Sequence, residues 1–313
     1  MKIAWFTEGG WSGKIPRDFR GMRNDSAWMC VLDAVHYPIN DVHTITEKYD
    51  LGIVTIPKKN IKALSEYPLL ENLRKCCDKV TYMQEGPHWY FQDYELEEQI
   101  WFFNILQEMD WLFVHNESDI KYYSGLTGKD CKLMPALMIE DLIKDLPKVE
   151  RSNVMIGGNF CSWYGGFDSY MVAQEFDCNI YVPTMGRKVE GEEQLPNLNH
   201  LPYMDWANWI TELNKFKYGI HLMRTQAAGT FALNCAYLGI PCIGYEGLDT
   251  QELCHPKLTI KLGDIQSAIK LASRLKNDHG FYVQCEIDAI SGYDIFFSEE
   301  KFVNTMKNLY IKI

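Results

Sequence analysis

Two kinds of residue grouping in this 313-residue chain could do chemistry. The first is a glycine loop placed directly after an apolar run. One reads Phe6-Thr7-Glu8-Gly9-Gly10-Trp11-Ser12-Gly13, and a second reads Ile156-Gly157-Gly158-Asn159-Phe160 with Gly165-Gly166 close behind. Glycine lets backbone approach a ligand, and amides at a strand-to-helix turn favour an anionic phosphate. Neither loop matches the dinucleotide or P-loop patterns, so each also fits a tight turn without ligand. A third segment is more specific: His221-Leu-Met-Arg224-Thr225-Gln226-Ala-Ala-Gly229-Thr230, continuing through Asn234 and Gly239 to Pro241 and Gly244. It reads as strand, loop, helix, tight turn and strand. Gly239 sits where a helix ends at positive φ, and Pro241 cannot extend that helix. The loop offers free amides at a helix N-terminus, with Thr225, Gln226 and Thr230 as neutral donors and Arg224 as a cation for a diphosphate. Arg187, in Met185-Gly186-Arg187-Lys188, is a second cation candidate.

The second kind of grouping is a loop rich in proton-transfer groups. Gln84-Glu85-Gly86-Pro87-His88-Trp89-Tyr90-Phe91-Gln92-Asp93 follows an apolar run and holds two carboxylates, a histidine and three adjacent aromatics. Glu85, His88 and Asp93 are candidate general bases, and Trp89 is a ring for stacking on a sugar or base. Glu8 and Asp25 compete for the base role. Lys14, Arg17, Arg20 and Arg23 form a basic run beside Trp11 and Phe19, suited either to phosphate or to plain solvation. Glu246, just beyond the run after Pro241, is placed to read ribose or sugar hydroxyls. No Asp-x-Asp metal motif occurs, and no metal site is expected.

The elements that must position these groups alternate. Strand candidates are Lys2 to Phe6, Leu51 to Ile56, Val80 to Gln84, Trp111 to His115 and Cys131 to Met134, with helices over Asp25 to Ala34, Tyr67 to Cys76, Leu96 to Met109 and Ser118 to Leu126. Leu96, Ile100, Phe103 and Leu106 have the spacing of a buried helix face. A second cycle has strands at Val154 to Ile156, Asn179 to Val182, Tyr218 to Leu222 and Pro241 to Gly244, with helices over Trp206 to Lys215, Gly229 to Leu238 and Ile265 to Leu275. This is the pattern of parallel α/β architecture. It predicts two domains, 1–148 and 149–313, divided near the charged stretch from Lys144 to Arg151.

Composition narrows the class. An apolar share of 47% with 23% charged residues is globular, and a net charge of −11 argues against a dedicated, strongly basic nucleic-acid binder. Ten cysteines without a Cys-x-x-Cys pair fit a reducing, cytoplasmic setting. The first residues read as a core strand rather than a signal peptide, and no apolar run is long enough to span a membrane.

The segment from His221 to Gly244 resembles the donor-binding segment of GT-B glycosyltransferases, where a loop and helix ending in hydrophobic-Gly-x-Pro-hydrophobic grip a nucleotide-sugar. His115-Asn116-Glu117-Ser118, then a helix and Cys131-Lys-Leu-Met-Pro-Ala-Leu, is similar to the end of a GT-B N-terminal domain. The tail after Gly292 is similar to the C-terminal helix that returns to that domain. The resemblance implies two Rossmann-like domains facing a central cleft. It also implies a UDP- or GDP-sugar as co-substrate with no permanent cofactor, and donor contacts from Gly157, Gly158, Arg187, Arg224, Thr225, Gln226, Gly229, Thr230, Asn234 and Glu246. Retaining members often carry two glutamates eight residues apart on this segment; here those positions are Gln226 and Asn234, which leaves the stereochemical outcome open.

More loosely, the chain resembles small phage glycosyltransferases, some of which decorate hydroxymethylated pyrimidines in DNA. That makes DNA the first acceptor to try, with Trp11, Lys14, Arg17, Arg20, Arg23 and Trp89 as its contacts. A glycan or small-molecule acceptor, a sugar-nucleotide epimerase and a non-catalytic nucleotide-sugar-binding module are the alternatives.

Overall fold

The computed structural model describes residues 1–58, 61–161, 163–183 and 190–310. They form two compact units: Met1–Phe19 with Asp25–Pro135, and Arg20–Asn24 with the chain from Ala136 onward. The division falls after Pro135, earlier than the charged stretch indicated. The reason is that Ala136, Met138 and Ile143 already pack in a core with Met155, Leu213 and Phe216.

In the first unit the strands are β1 (Ile3–Thr7), β2 (Gly13–Lys14), β3 (Val35–Pro38), β4 (Tyr49–Val54), β5 (Cys77–Met83), β6 (Trp111–Val114) and β7 (Cys131–Leu133). The helices are α1 (Asn24–Val31), α2 (Ile61–Ser65), α3 (Leu69–Cys76), α4 (Leu96–Glu108) and α5 (Glu117–Thr127). The sheet order is β2-β3-β1-β4-β5-β6-β7, parallel except for β2 against β3. Both faces of a parallel sheet are covered, so its strands read as near-continuous apolar runs; β1 is buried along its whole length. β3 escaped the sequence reading because His36 and Pro38 interrupt its apolar character.

α4 differs from expectation in the face it buries. Leu96 and Ile100 are 69% and 52% exposed, whereas Phe102, Ile105, Leu106 and Met109 are buried. Both sets have helical spacing. Aromatic packing selects between them: the Phe102 ring stacks on Phe91 at 5.2 Å and meets Tyr82 edge-on at 5.6 Å.

In the second unit the strands are β8 (Ser152–Ile156), β9 (Ile180–Pro183), β10 (Leu198–Leu201), β11 (Phe216–His221), β12 (Cys242–Tyr245) and β13 (Thr259–Ile260). The helices are α6 (Gly166–Ala173), α7 (Trp206–Leu213), α8 (Thr230–Leu238), α9 (Asp249–Cys254), α10 (Ile265–Asn277), α11 (His279–Gly292) and α12 (Glu299–Tyr310). The sheet is parallel with order β10-β9-β8-β11-β12-β13. α8 ends as its sequence predicts, with Gly239 at φ 66°. Arg151 fixes that end by donating from its guanidinium to the carbonyls of Leu238 (2.5 Å) and Asn214 (3.1 Å). The helix expected near the C-terminus is α12, in the second unit. Before it, Tyr293 Oη and the Glu299 amide both donate to Glu140 Oε1, at 2.8 and 2.9 Å. No helix among the described residues is long and apolar enough to cross a membrane.

Candidate active site

In open parallel sheets, ligands meet the loops that leave the carboxyl ends of the strands, and the candidate residues were nominated from such loops. In the first unit, β1 delivers Glu8, β4 delivers Lys58, β5 delivers Glu85 and His88, β6 delivers His115, and the first turn of α1 carries Asp25. Two carboxylates far apart in sequence, Glu8 and Asp25, act on a third, Glu85. Burial pushes the Glu85 carboxyl up to about 7; the Lys58 charge opposes that rise, and Glu8 and Asp25 add to it. Lys58 Nζ lies 3.7 Å from the centre of the Tyr90 ring, a cation–π contact that holds the cation over this loop.

His88 is anchored differently. Its Nδ1 lies 3.1 Å from Oδ1 of Asp119, which is fully buried, and its ring sits 4.3 Å from that of Tyr122. Asp119 is itself fixed at the start of α5, where its other oxygen accepts from the Asn116 amide nitrogens at 3.0 and 3.3 Å. A carboxylate bound to one imidazole nitrogen sets ring orientation and tautomer. Asp93 is exposed at the end of a short 3-10 turn, His88–Asp93. Trp89 in the same turn is partly exposed.

Sequence reasoning missed two histidines at this edge. His115 stacks on Trp28 at 5.7 Å, and Trp28 on Trp5 at 6.0 Å; burial lowers the His115 imidazole to about 4. His36 on β3 is 2% exposed. Its ring nitrogens face the carbonyls of Trp11 and Glu8 without reaching hydrogen-bond geometry, and the Asp25 charge acts on it. A lone histidine in a segment that does not read as a strand carries no signal of this in sequence.

The basic run divides between the units, Lys14 and Arg17 in the first and Arg20 and Arg23 in the second. Lys14 Nζ pairs with Asp33 at 2.6 Å. Arg20 belongs to the second unit, where it donates to Asn208 Oδ1 at 2.8 Å and reaches Asp205 at 3.4 Å. Trp11 donates to the Lys14 carbonyl at 3.2 Å and packs on Phe19 at 5.1 Å, so its ring closes its own loop. Arg17 and Arg23 are exposed.

In the second unit, the loops after β8, β11 and β12 come together. Packing by itself requires glycine at 157 and 158. A Cβ on Gly157 would lie 2.4 Å from Phe231 and 2.8 Å from His221, and one on Gly158 2.8 Å from Tyr164. The Gly157 amide is also spent on the Ile220 carbonyl at 2.8 Å. The loop after β11 turns Thr225 inward, its hydroxyl donating to the Trp163 carbonyl at 2.5 Å. Gln226 lies against the α-carbon of Gly247, where a Cβ would meet its amide nitrogen at 2.0 Å. Arg224 points outward with its side chain 60% exposed and pairs with Asp168, in the first turn of α6, at 2.8 Å. That hydrogen bond and the Asp168 charge raise its already high pKa.

α8 begins at Gly229 with no side-chain cap. A helix N-terminus offers its first-turn amides to an acceptor, Gly229 has no side chain to supply one, and Thr230 is exposed beside them. Gly229 is packed so closely on Thr250 that a Cβ would sit 2.1 Å from Oγ1. Asn234 is buried; with its amide turned so that both ends are satisfied, Nδ2 donates to the Thr230 carbonyl (3.2 Å) and Oδ1 accepts from Trp209 Nε1 (3.1 Å). It braces α8 against α7. Glu246 is exposed just past β12. Arg187 lies outside the described residues. Two open depressions, of about 660 and 530 Å³, lie elsewhere in this unit, around Arg274 and Phe281 and around Asn153 and Asp177. Neither includes a candidate residue.

Buried neutral histidines give a pH prediction. Burial lowers His115, His221 and His255 to about 4 each, against 6.5 in the open chain. Between those values the unfolded chain binds more protons. The stability present above pH 6.5 is therefore lost as pH falls toward 4, by roughly 1.4 kcal/mol per group per pH unit at the steepest. Thermal melts at pH 7, 6 and 5 should show a falling midpoint; an unchanged midpoint from pH 7 to 5 would contradict these environments.

No family model and no curated relative matches the sequence. Solved structures do. HepE from Anabaena, crystallised with UDP and glucose, superposes over the full length of both chains with a TM-score of 0.71 at 11% identity. Sucrose-phosphate synthase from Thermosynechococcus elongatus matches 92% of this chain and 78% of its own at a TM-score of 0.66 and 13% identity. An α-glucosyltransferase crystallised with UDP-glucose and DNA containing an abasic site matches 99% of each chain at 0.62 and 12%. These likenesses, with the two parallel sheets, give the chain the two-domain α/β fold of the GT-B type.

Proposed function

We propose that the chain is a glycosyltransferase in which the second unit holds a UDP-sugar and the first unit receives the acceptor hydroxyl. The observation that carries this reading is the uncapped start of α8, flanked by the exposed Arg224 and Thr230. A diphosphate placed there meets open amides, the positive end of the helix dipole and a guanidinium, which is the stabilisation a departing nucleoside diphosphate needs. UDP is favoured over GDP because HepE was crystallised with UDP and with UDP-glucose. Gln226, Thr225 and Glu246 border the same loops. Gln226 and Thr225 shape them; Glu246 is placed to meet sugar or ribose hydroxyls.

The acceptor we put first is a hydroxymethylated pyrimidine in DNA; DNA as its class is supported by the α-glucosyltransferase crystallised with UDP-glucose and DNA containing an abasic site, which matches nearly the whole chain. The pairing of Lys14 with Asp33 and of Arg20 with Asp205 weakens the phosphate-binding side of that reading. The test is transfer of radiolabelled glucose from UDP-glucose to three acceptors in parallel: DNA carrying 5-hydroxymethylcytosine, unmodified DNA, and a panel of simple glycosides. Label in only the hydroxymethylated DNA supports the DNA reading, and label in only the glycosides replaces it with a glycan acceptor. Turnover of donor without any acceptor product would point to an epimerase.

A further inference from the structure

We propose that His88 takes the proton from the acceptor hydroxyl, and that the buried Asp119 is the residue that positions it. This rests on the glycosyltransferase reading and names the catalytic group on its acceptor side. His88 stands in the short turn after β5, and Asp119 in the first turn of α5, which follows β6. β5 and β6 are neighbours in the sheet, so both residues arrive at its carboxyl edge. They meet through Nδ1 and Oδ1 at 3.1 Å, with the Asp119 side chain 0% and the His88 side chain 25% exposed.

The pair differs from a surface ion pair in how it is held. The second Asp119 oxygen accepts from the Asn116 backbone and side-chain nitrogens at 3.3 and 3.0 Å, which keeps the carboxylate in one orientation. The Tyr122 ring lies 4.3 Å from the imidazole, centre to centre, and Gln92 donates to the Tyr122 hydroxyl at 3.4 Å, so one side of the imidazole is walled. Nε2, by contrast, has no partner among the described residues and stays accessible. A carboxylate on Nδ1 selects the tautomer that carries its proton there and leaves the Nε2 lone pair ready to accept another. A pair that served packing alone would have no need of that open nitrogen.

The step balances with the UDP-sugar as the other reactant. The acceptor oxygen forms a bond to the anomeric carbon, and the bond from that carbon to the β-phosphate oxygen breaks with its electron pair leaving on UDP. The acceptor proton passes to His88 Nε2. The imidazolium so formed is stabilised by the Asp119 carboxylate and then releases the proton to solvent. Asp119 acts only through the ring.

The experiment measures UDP release from UDP-glucose with water alone, methyl β-glucoside and an oligonucleotide bearing 5-hydroxymethylcytosine, beside UDP binding by calorimetry. His88→Ala should lose about 100-fold or more in kcat with KM for UDP-glucose unchanged. Added imidazole should restore part of that rate, which a structural role would not allow. Asp119→Asn should lose kcat by about tenfold or more through the wrong tautomer, with UDP binding intact. Heteronuclear NMR of the histidine side chains at alkaline pH checks the tautomer in the natural protein without any acceptor: the His88 ring, assigned through its contact with Tyr122, should carry its proton on Nδ1. A proton on Nε2, or His88→Ala with kcat within about threefold of the natural protein, would overturn the proposal. So would a protein that binds UDP-glucose yet releases no UDP with any of these acceptors. Absence of UDP-glucose binding would instead overturn the donor reading on which this one rests.

Discussion

Gly165→Ala is expected to destabilise the second unit by on the order of 4 kcal/mol, a large fraction of the stability of an ordinary domain. Gly165 has φ 62° and stands between the β8 loop and α6. A Cβ there would lie 1.9 Å from the Leu222 carbonyl oxygen and 2.8 Å from its carbon. Those are backbone atoms, so no rotamer change relieves the overlap. Leu222 is also held in place, its amide donating to the buried Ser169 hydroxyl at 3.0 Å. Shifting it would drag the loop that carries Arg224, so UDP binding should fall with stability. Gly125→Ala is the control. Gly125 lies in α5 with nothing within 4 Å of the added Cβ, and alanine there should be neutral or stabilising by about 0.5–1 kcal/mol. Equal thermal midpoints for Gly165→Ala and the natural protein would contradict the packing described.

Arg224→Ala separates binding from folding. The guanidinium is 60% exposed and its pairing with Asp168 is a surface ion pair, worth at most about 1 kcal/mol. Removing it should leave the melting midpoint within a degree or two. Loss of a charge-assisted contact to diphosphate should raise the Kd for UDP roughly 10- to 100-fold, corresponding to about 1.5–3 kcal/mol. Asp168→Asn tests the same geometry from the other side. It frees the guanidinium and removes a negative charge beside the phosphate position, so UDP should bind as well or a few-fold tighter. Unchanged UDP affinity in Arg224→Ala would move the phosphate site away from the loop after β11.

The parts of this fold legible in sequence were those fixed by local rules. Gly239 and Pro241 mark the end of α8 and the start of β12 because a left-handed cap and a missing amide act within a few residues. The apolar runs of β1, β4, β5 and β6 are legible because both faces of those strands are buried. What escaped was set by long-range packing. The buried face of α4 was decided by Phe91 and Tyr82 rather than by its own periodicity. The glycines at 157 and 158 looked like ligand loops, yet Phe231, His221 and Tyr164 demand them. Arg20 looked like a neighbour of Lys14 but packs with Asn208 of the other unit.

The candidate site followed the same division. Glu8, Asp25 and Glu85 were each nominated from their loops, but the action of the first two charges on Glu85 depends on strand order, which no spacing in the sequence reveals. His36 and Lys58 were not nominated at all. Neither stands in a motif, and each acquires its setting only when β3 and β4 flank β1.

The most direct test of the donor site is a calorimetric titration of the natural protein with UDP, alongside Arg224→Ala. The account predicts saturable binding of one UDP per chain with Kd below about 1 mM, weakened at least tenfold in the variant. Absence of binding at millimolar UDP, from protein that still melts cooperatively, would contradict it.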